Sequence, residues 1–258
     1  MSNELLSGKV GLVMGVANDR SIAWEIAKEL DAAGAEIAFT YQNEQIGEKV
    51  IPLFEELDSP FYSELDVLDD ENFAEVFSKL EDEVGELDFL VHSIAGGPKR
   101  EDFNGKYLDT ERDSFSRTME ISAYSYVKAM QLAYPMMKDR DAASLTLTYY
   151  GGEKVIPNYN LMGVAKAALE ASVREMADDL GEEGIRVNAI SAGPILTRAA
   201  SGISDFRNLL RDFKEKAPMN RLIESEEVAK TALYLLSDLS SGVTGEILHV
   251  DCGFNITG

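Results

Sequence analysis

The chain has 258 residues, 45% of them hydrophobic, with one cysteine and a formal net charge of −22. That length suits a single α/β domain with a real core, while so acidic a surface repels phosphate backbones and argues against general nucleic-acid binding; it reads as solubility or, more pointedly, as adaptation to high salt. No apolar run approaches the ~20 residues that cross a bilayer, neither end matches a leader or lipidation signal, and one cysteine leaves no intrachain disulfide, so a cytoplasmic protein away from membranes is expected.

Val10-Gly11-Leu12-Val13-Met14 reads as a buried strand. Ser21 to Ala33 carries Ile22, Ile26 and Leu30 at helical spacing, and Gly34 stops it. Ile37 to Tyr41 is predicted as a second strand, Val50 to Leu57 as a helix, and Phe61 to Leu65 as a short third strand. Phe73, Val76, Phe77, Leu80 and Val84 mark a helix face, and Phe89-Leu90-Val91 is the fourth strand. Past a polar loop with Gly96-Gly97-Pro98, the stretch from Thr110 to Lys138 is mostly helical. Ser144 to Tyr149 is the fifth strand, Asn160 to Leu180 a long helix, and Val187 to Ile190 the sixth strand. Helices over Phe206 to Lys216 and Glu227 to Leu236 precede the last strand, Ile247 to Val250. Strands alternating with helices predict an α/β fold, a doubly wound seven-stranded parallel sheet with helices on both faces. No repeat or linker divides residues 1–258. Such a sheet binds ligands at the C-terminal ends of its strands, so the residues just after each strand are the ones to inspect.

After the first strand comes Gly15-Val16-Ala17-Asn18-Asp19-Arg20-Ser21-Ile22. A glycine there lets the chain turn tightly, and the next helix aims its free N–H groups at a pyrophosphate. Ala17 and Arg20 break the G-x-G-x-x-G pattern, and a plain strand–helix turn reads equally well from this segment alone. At the end of the second strand an acid holds the ribose 2′-OH of NAD, whereas a cation accommodates the 2′-phosphate of NADP. Tyr41-Gln42-Asn43-Glu44 offers no cation, and a 2′-phosphate would meet Glu44, so NADH is predicted. Gln42 is not the usual acid, and Arg20 could reach this pocket. Asp66 suits either the adenine amino group or the cap of the helix near Asp69. Small residues in His92-Ser93-Ile94-Ala95-Gly96-Gly97 allow a nucleotide to approach. His92 itself follows a buried run and reads as a structural histidine rather than a catalytic base.

Tyr149, Tyr159 and Lys166 are the candidates for chemistry, with Tyr159 placed at the start of the long helix and Lys166 in its second turn. Residues seven apart share a helix face. A nearby lysine favours the phenolate and lowers a tyrosine's pKa, so that it can donate a proton at neutral pH. From spacing alone, aromatics packing the core and a lysine on a solvated face remain the plainer account. No metal site is expected.

Gly15 with Ser21-Ile22, Phe39-Thr40-Tyr41-Gln42, His92-Ser93-Ile94, Leu145 to Tyr149, Ile156 to Lys166, Arg186 to Pro194 and Gly245 to Asp251 together resemble the short-chain dehydrogenase superfamily in its enoyl-reductase branch. The resemblance runs in order and in register over nearly the whole chain. Ordinary members carry Tyr-x-x-x-Lys with an upstream serine. Here the residue four before Lys166 is Met162, and Tyr149 stands where the serine falls. The tyrosine is Tyr159, seven before the lysine, which is the spacing of enoyl-acyl-carrier-protein reductases. That argues against a carbonyl reductase or alcohol dehydrogenase. A non-catalytic NAD-binding sensor on the same fold would be favoured by loss of the tyrosine or lysine, and both are present.

The resemblance implies a Rossmann-type single domain over 1–258, with a small helical substrate lid at about 195–216. It implies hydride transfer from NADH to C3 of an enoyl thioester, with Tyr159 stabilising the enolate, Lys166 gripping the nicotinamide ribose and Tyr149 lining the substrate pocket. The implied cofactor contacts are Gly15, Ser21, Ile22, Gln42, Asp66, Val67, Ser93, Ile94, Lys166 and the loop Ile195-Leu196-Thr197-Arg198-Ala199. The implied substrate contacts are Gly97, Tyr149, Tyr159, Ile203 and Phe206. In the lid Arg198, Arg207, Arg211, Lys214 and Lys216 face only Asp205, Asp212 and Glu215, a patch that would steer an acidic carrier protein, although a solvated amphipathic helix has the same pattern. Gly96-Gly97 stands where many relatives have an aromatic followed by Ala, and Ser204 and Asn208 are uncharged where relatives often carry Lys. A homotetramer through helices beside strands four to seven is also implied, for which Thr118 to Gln131 offers a mixed polar and apolar face.

Overall fold

In β1 (Val10–Met14) Leu12 and Met14 pack into one hydrophobic cluster and Val13 into another, and all three are fully buried. A strand with one wet face would alternate apolar with polar; burial on both faces requires a sheet covered by helices on each side. The structure, a computed structural model, describes residues 4–103, 105–195 and 206–257. The chain runs α1 (Ile22–Ala32), β2 (Glu36–Tyr41), α2 (Glu44–Glu56), β3 (Tyr62–Glu64), α3 (Asp70–Val84) and β4 (Phe89–His92). It continues through α4 (Arg112–Met119), α5 (Ser125–Met137), β5 (Ala143–Thr148), α6 (Leu161–Gly181), β6 (Arg186–Ala192), α7 (Phe206–Lys216), α8 (Ser225–Leu236) and β7 (Ile247–Val250).

The seven strands form one parallel sheet in the order β3-β2-β1-β4-β5-β6-β7. One core holds Ile26 and Leu30 of α1, Phe54 of α2 and Ala232 of α8; Phe39 of β2 stacks on Phe54 with ring centroids 4.0 Å apart. The other holds Phe73 and Leu80 of α3, Tyr126 and Met130 of α5, and Leu169 and Val173 of α6. The chain winds outward from β1 to β3 and then returns to β4 on the other side of β1, with Met14 paired to His92. The ends of β1 and β4 therefore flank the point where strand order reverses, which is where an open α/β sheet leaves a crevice.

The predicted doubly wound sheet is present, with differences at several boundaries. α2 begins at Glu44 rather than Val50, because the Asn43 side chain accepts from Ile46 N–H at 3.1 Å and caps a first turn that is mostly polar. The stretch from Thr110 to Lys138 contains α4, a π-helical turn (Glu120–Tyr124) and α5. β5 ends one residue before Tyr149, and α6 starts at Leu161. Tyr159 thus precedes the helix instead of opening it: Asn158 and Asn160 flank it at φ of +61° and +39°, which an α-helix does not hold. No described helix is long and apolar enough to cross a membrane.

Candidate active site

At the end of β1 the chain turns at Gly15, with φ +94°. A Cβ there would stand 2.1 Å from the Ser93 carbonyl oxygen, so the two loops at the switch point meet backbone to backbone and only glycine fits. The Ser21 hydroxyl then accepts from the N–H groups of Ala17 and Asn18 at 3.0 and 3.1 Å. Ser21 thereby folds the loop that leads into α1, whose first N–H groups, beginning at Ile22, have no partner one turn earlier within the helix. At the end of β2, Gln42 is exposed with no cation beside it in sequence, and Arg20 is exposed on the neighbouring loop. After β3, Asp66 accepts from Leu68 N–H at 3.0 Å, while Asp69 caps α3 through the N–H groups of Glu71 and Asn72. Asp66 is therefore not the cap and remains exposed; Val67 packs against the α3 side of the core.

Past β4, Ser93 and Ile94 are half-buried, and the loop is then clamped at Gly96. The Ser122 hydroxyl on the π-helical turn accepts from Gly96 N–H at 2.9 Å and donates to Gly96 C=O at 2.7 Å. π-Turns concentrate at functional sites because the widened turn re-aims side chains. A Cβ on Gly96 would meet only Ile121 at 3.5 Å, so this wall is open. A Cβ on Gly97 would stand 2.5 Å from Thr118 Cα, so Gly97 turns that side to α4 and offers a ligand only backbone. His92 is fully buried, with Nδ1 at 3.0 Å from Thr146 Oγ1 and Nε2 at 2.8 Å from Ser125 Oγ. Burial first, then the Lys166 charge, bring its pKa down to about 3. It is a neutral, doubly engaged ring tying β4 to β5 and α5, as its sequence context suggested.

Tyr149 and Tyr159 meet at the end of β5, ring centroids 4.9 Å apart in an edge-to-face pair. Tyr159 is 8% exposed and Tyr149 is half-buried. A Cβ on Gly151 would lie 2.3 Å from Tyr159 Cδ1, so the Tyr150–Gly152 turn is shaped around the Tyr159 ring. Lys166, 5% exposed, donates from Nζ to the Leu147 carbonyl at 2.8 Å. Burial lowers its pKa from 10.5 to about 8, with Glu170 working in the opposite direction. The phenols shift against the sequence-based expectation. Burial pushes Tyr149 up to about 12, and it pushes Tyr159 up too, followed by the nearby Tyr149 and Glu170. Burial and two neighbours that carry or would carry negative charge all favour the protonated phenol, so Tyr159 is a neutral O–H donor rather than an incipient phenolate.

Three residues of this site went unnoticed in the sequence. Ser122 and Thr148 gave no signal at that level. Glu170 did: it sits four residues after Lys166 on the buried face of α6 and accepts from Thr148 Oγ1 at 2.6 Å. Ile195 packs on the α8 side of the core. Leu196, Thr197, Arg198, Ala199 and Ile203 lie outside the described residues, and of Phe206 only its place at the start of α7 is described. α7 docks through Phe213, which stacks on Phe254 at 4.4 Å and leaves room only for glycine at Gly193. Among the described residues, no cluster of three or more His, Cys, Asp or Glu could hold a metal ion.

A family model described as enoyl-(acyl carrier protein) reductase matches residues 15–255. The chain is 57% identical to the enoyl-[acyl-carrier-protein] reductase [NADH] 1 of Rhizobium meliloti, over 98% of this chain and 93% of that one. It superposes with a TM-score of 0.95 on the crystal structure of enoyl-[acyl-carrier-protein] reductase (NADH) from Aquifex aeolicus, at 44% identity and with 98% and 99% of the two chains covered. Against the Anaplasma phagocytophilum enoyl-(acyl-carrier-protein) reductase in complex with NAD, the TM-score is 0.94 at 48% identity, covering 98% and 96%. With Tyr159 and Lys166 seven residues apart and gathered with Tyr149 at the end of β5, the chain belongs to the enoyl-acyl-carrier-protein reductase family.

Proposed function

We propose that the protein reduces the trans-2 double bond of enoyl-acyl-carrier-protein thioesters with NADH in fatty-acid elongation. The observation that carries this reading is the edge-to-face contact of half-buried Tyr149 with buried Tyr159, beside a buried Lys166 bonded to the same end of β5, with Met162 at the position that ordinary dehydrogenases give to tyrosine. A thioether cannot donate a proton, which disfavours carbonyl or alcohol chemistry. A silent NAD-binding sensor would have no use for a desolvated tyrosine and lysine held together.

The residues present fit a dinucleotide: a glycine turn closed to any Cβ, a helix N-terminus behind it, and a β2 end without a cation. Gly15, Ser21, Ile22, Gln42, Asp66, Val67, Ser93, Ile94 and Lys166 would hold it, joined by Ile195 to Ala199. NADH, when bound, supplies the hydride for C3 of the thioester. Tyr159, neutral and desolvated, presents its O–H to the thioester oxygen, where negative charge develops, and stabilises it as an oxyanion donor. Lys166, held by the Leu147 carbonyl, would add positive field and would hydrogen-bond ribose hydroxyls. Tyr149 borders Tyr159 edge-on and keeps water from that side. The segment 195–216, with Ile203 and Phe206, would serve as the lid over the acyl chain, and Gly97 would contribute backbone to the wall.

The acidic carrier protein would dock at the cations of 198–216, where the local sequence departs from the prevailing negative charge. The protein is cytoplasmic and forms a homotetramer. Half-exposed Phe115 and Tyr124 line an open groove of about 450 Å³ with Met119, Val127 and Ala168, an apolar face suited to another subunit. Light scattering should give four chains per particle. Turnover of an enoyl thioester on acyl-carrier protein with NADH, beside ketone substrates, tests the reaction: rapid NADH loss with the enoyl thioester alone supports it, and reduction of ketones alone contradicts it.

A further inference from the structure

α6 buries nine residues on its inner face, and two of them are charged, Lys166 and Glu170, each 5% exposed. Buried charges persist only where they are paired and hydrogen-bonded. These two are one turn apart without a direct hydrogen bond or ion pair between them; each is instead hydrogen-bonded to the same short stretch of β5. Lys166 donates to Leu147 C=O at 2.8 Å, and Glu170 accepts from Thr148 Oγ1 at 2.6 Å. The next residue is Tyr149. Gly152 closes the arrangement, because a Cβ there would stand 2.5 Å from Glu170 Oε1. The Tyr150–Gly152 turn is thus pressed between the Glu170 carboxylate on one side and the Tyr159 ring, against Gly151, on the other.

The charged and titratable groups around the pair come from several elements. Arg174 follows along α6, and Glu153 follows the Tyr150–Gly152 turn; both act on Glu170. His92 of β4 feels Lys166, and Tyr159 feels Glu170. His249 of β7 lies behind, with Nε2 2.8 Å from Glu153 Oε1.

We propose, resting on the reductase reading above, that Glu170 is a positioning residue for the reaction: it fixes the end of β5 through Thr148 and Gly152, and its charge holds the Lys166 ammonium at the site. The carboxylate acts from the core side, through Lys166 and the turn that seats Tyr159. Burial raises the Glu170 carboxyl above its ordinary value and Glu153 adds to that, while the Thr148 hydroxyl, Arg174 and Lys166 favour its ionised form.

Glu170→Gln keeps the shape and an oxygen for Thr148 and removes only the charge. It should move the alkaline limb of kcat down by up to ~1 pH unit, because a nearby opposite charge favours the ammonium form. KM for NADH should change less than kcat, and Glu170→Asp should recover part of the profile. Thr148→Val, which takes away the donor, should shift the limb the same way by less, and it stands in if Glu170→Gln does not fold. The Lys166 titration is read independently by 13C NMR of protein labelled at lysine Cε, with Lys166→Met assigning the resonance. A lower Lys166 pKa in the variants, together with the shifted limb, supports the proposal. An unchanged Lys166 titration overturns it, whatever the turnover. Absence of turnover in the wild type overturns the reductase reading instead, and the titration still decides whether Glu170 sustains the Lys166 charge.

Discussion

At the ends of β1 and β4 the site is made of backbone, whereas at the end of β5 it is made of buried side chains. Gly15 and Ser93 touch main chain to main chain, Ser21 and Ser122 fold loops through N–H and C=O groups, and the exposed Gln42 and Asp66 stand at the rim. Tyr159, Lys166 and Glu170 instead depend on desolvation, which moves the proton affinity of each. A nucleotide needs shape and donors over a long span, which backbone supplies cheaply. A reacting oxygen needs one donor of the right protonation state, which only burial can tune.

The contrast breaks hardest at Tyr159. Tyr159→Phe keeps the edge-to-face contact at 4.9 Å and loses only the donor. kcat should fall by roughly 10²–10³, the loss typical of one oxyanion donor, with NADH affinity and Tm nearly unchanged. On the other side, Gly15→Ala combines φ +94° with a Cβ 2.1 Å from Ser93 O. It should cost about 2–4 kcal/mol in urea unfolding and weaken NADH binding, because here shape and stability are one property.

pH separates the two regions without mutation. Lys166 titrates at about 8 in the folded chain, against 10.5 ordinarily, so activity should fall as pH rises through about 8. What Lys166 contributes to stability should not fall in parallel. Its folded pKa is depressed, so between those values the unfolded chain binds more protons, and this group's contribution grows with pH. The raised phenol of Tyr149, at about 12, acts oppositely and removes stability only above its ordinary 10.0. Parallel activity and unfolding series across pH 7 to about 10 check the divergence. The smallest effect belongs to the rim: Gln42→Arg should improve NADPH use relative to NADH by about fivefold, the scale of an exposed ion pair, measured as the ratio of kcat/KM values.

The legible parts of the sequence were those governed by local pattern. β1, α7 and β7 fall where their apolar spacing put them, and Gly15 was found from its place at a strand end. Tyr159 and Lys166 were legible as a pair only through the family resemblance that their spacing matches, yet the placement of Tyr159 was not, because the left-handed Asn158 and Asn160 detach it from the helix. The direction of its pKa shift was equally hidden, since desolvation is set by the packing of β5, Gly151 and α6 together. Glu170 is hidden because charges in a helical pattern read as solvent-facing; its offset of four from the candidate lysine is the available clue.

The measurement that bears hardest on this division of labour is single-turnover reduction of a 2-enoyl acyl-carrier-protein thioester by wild type and Tyr159→Phe, each pre-loaded with NADH and followed by loss of NADH absorbance. The account predicts equal NADH occupancy and a slower chemical step in the variant, by roughly 10²–10³. Equal rates in the two proteins would contradict it and would place the oxyanion donor elsewhere.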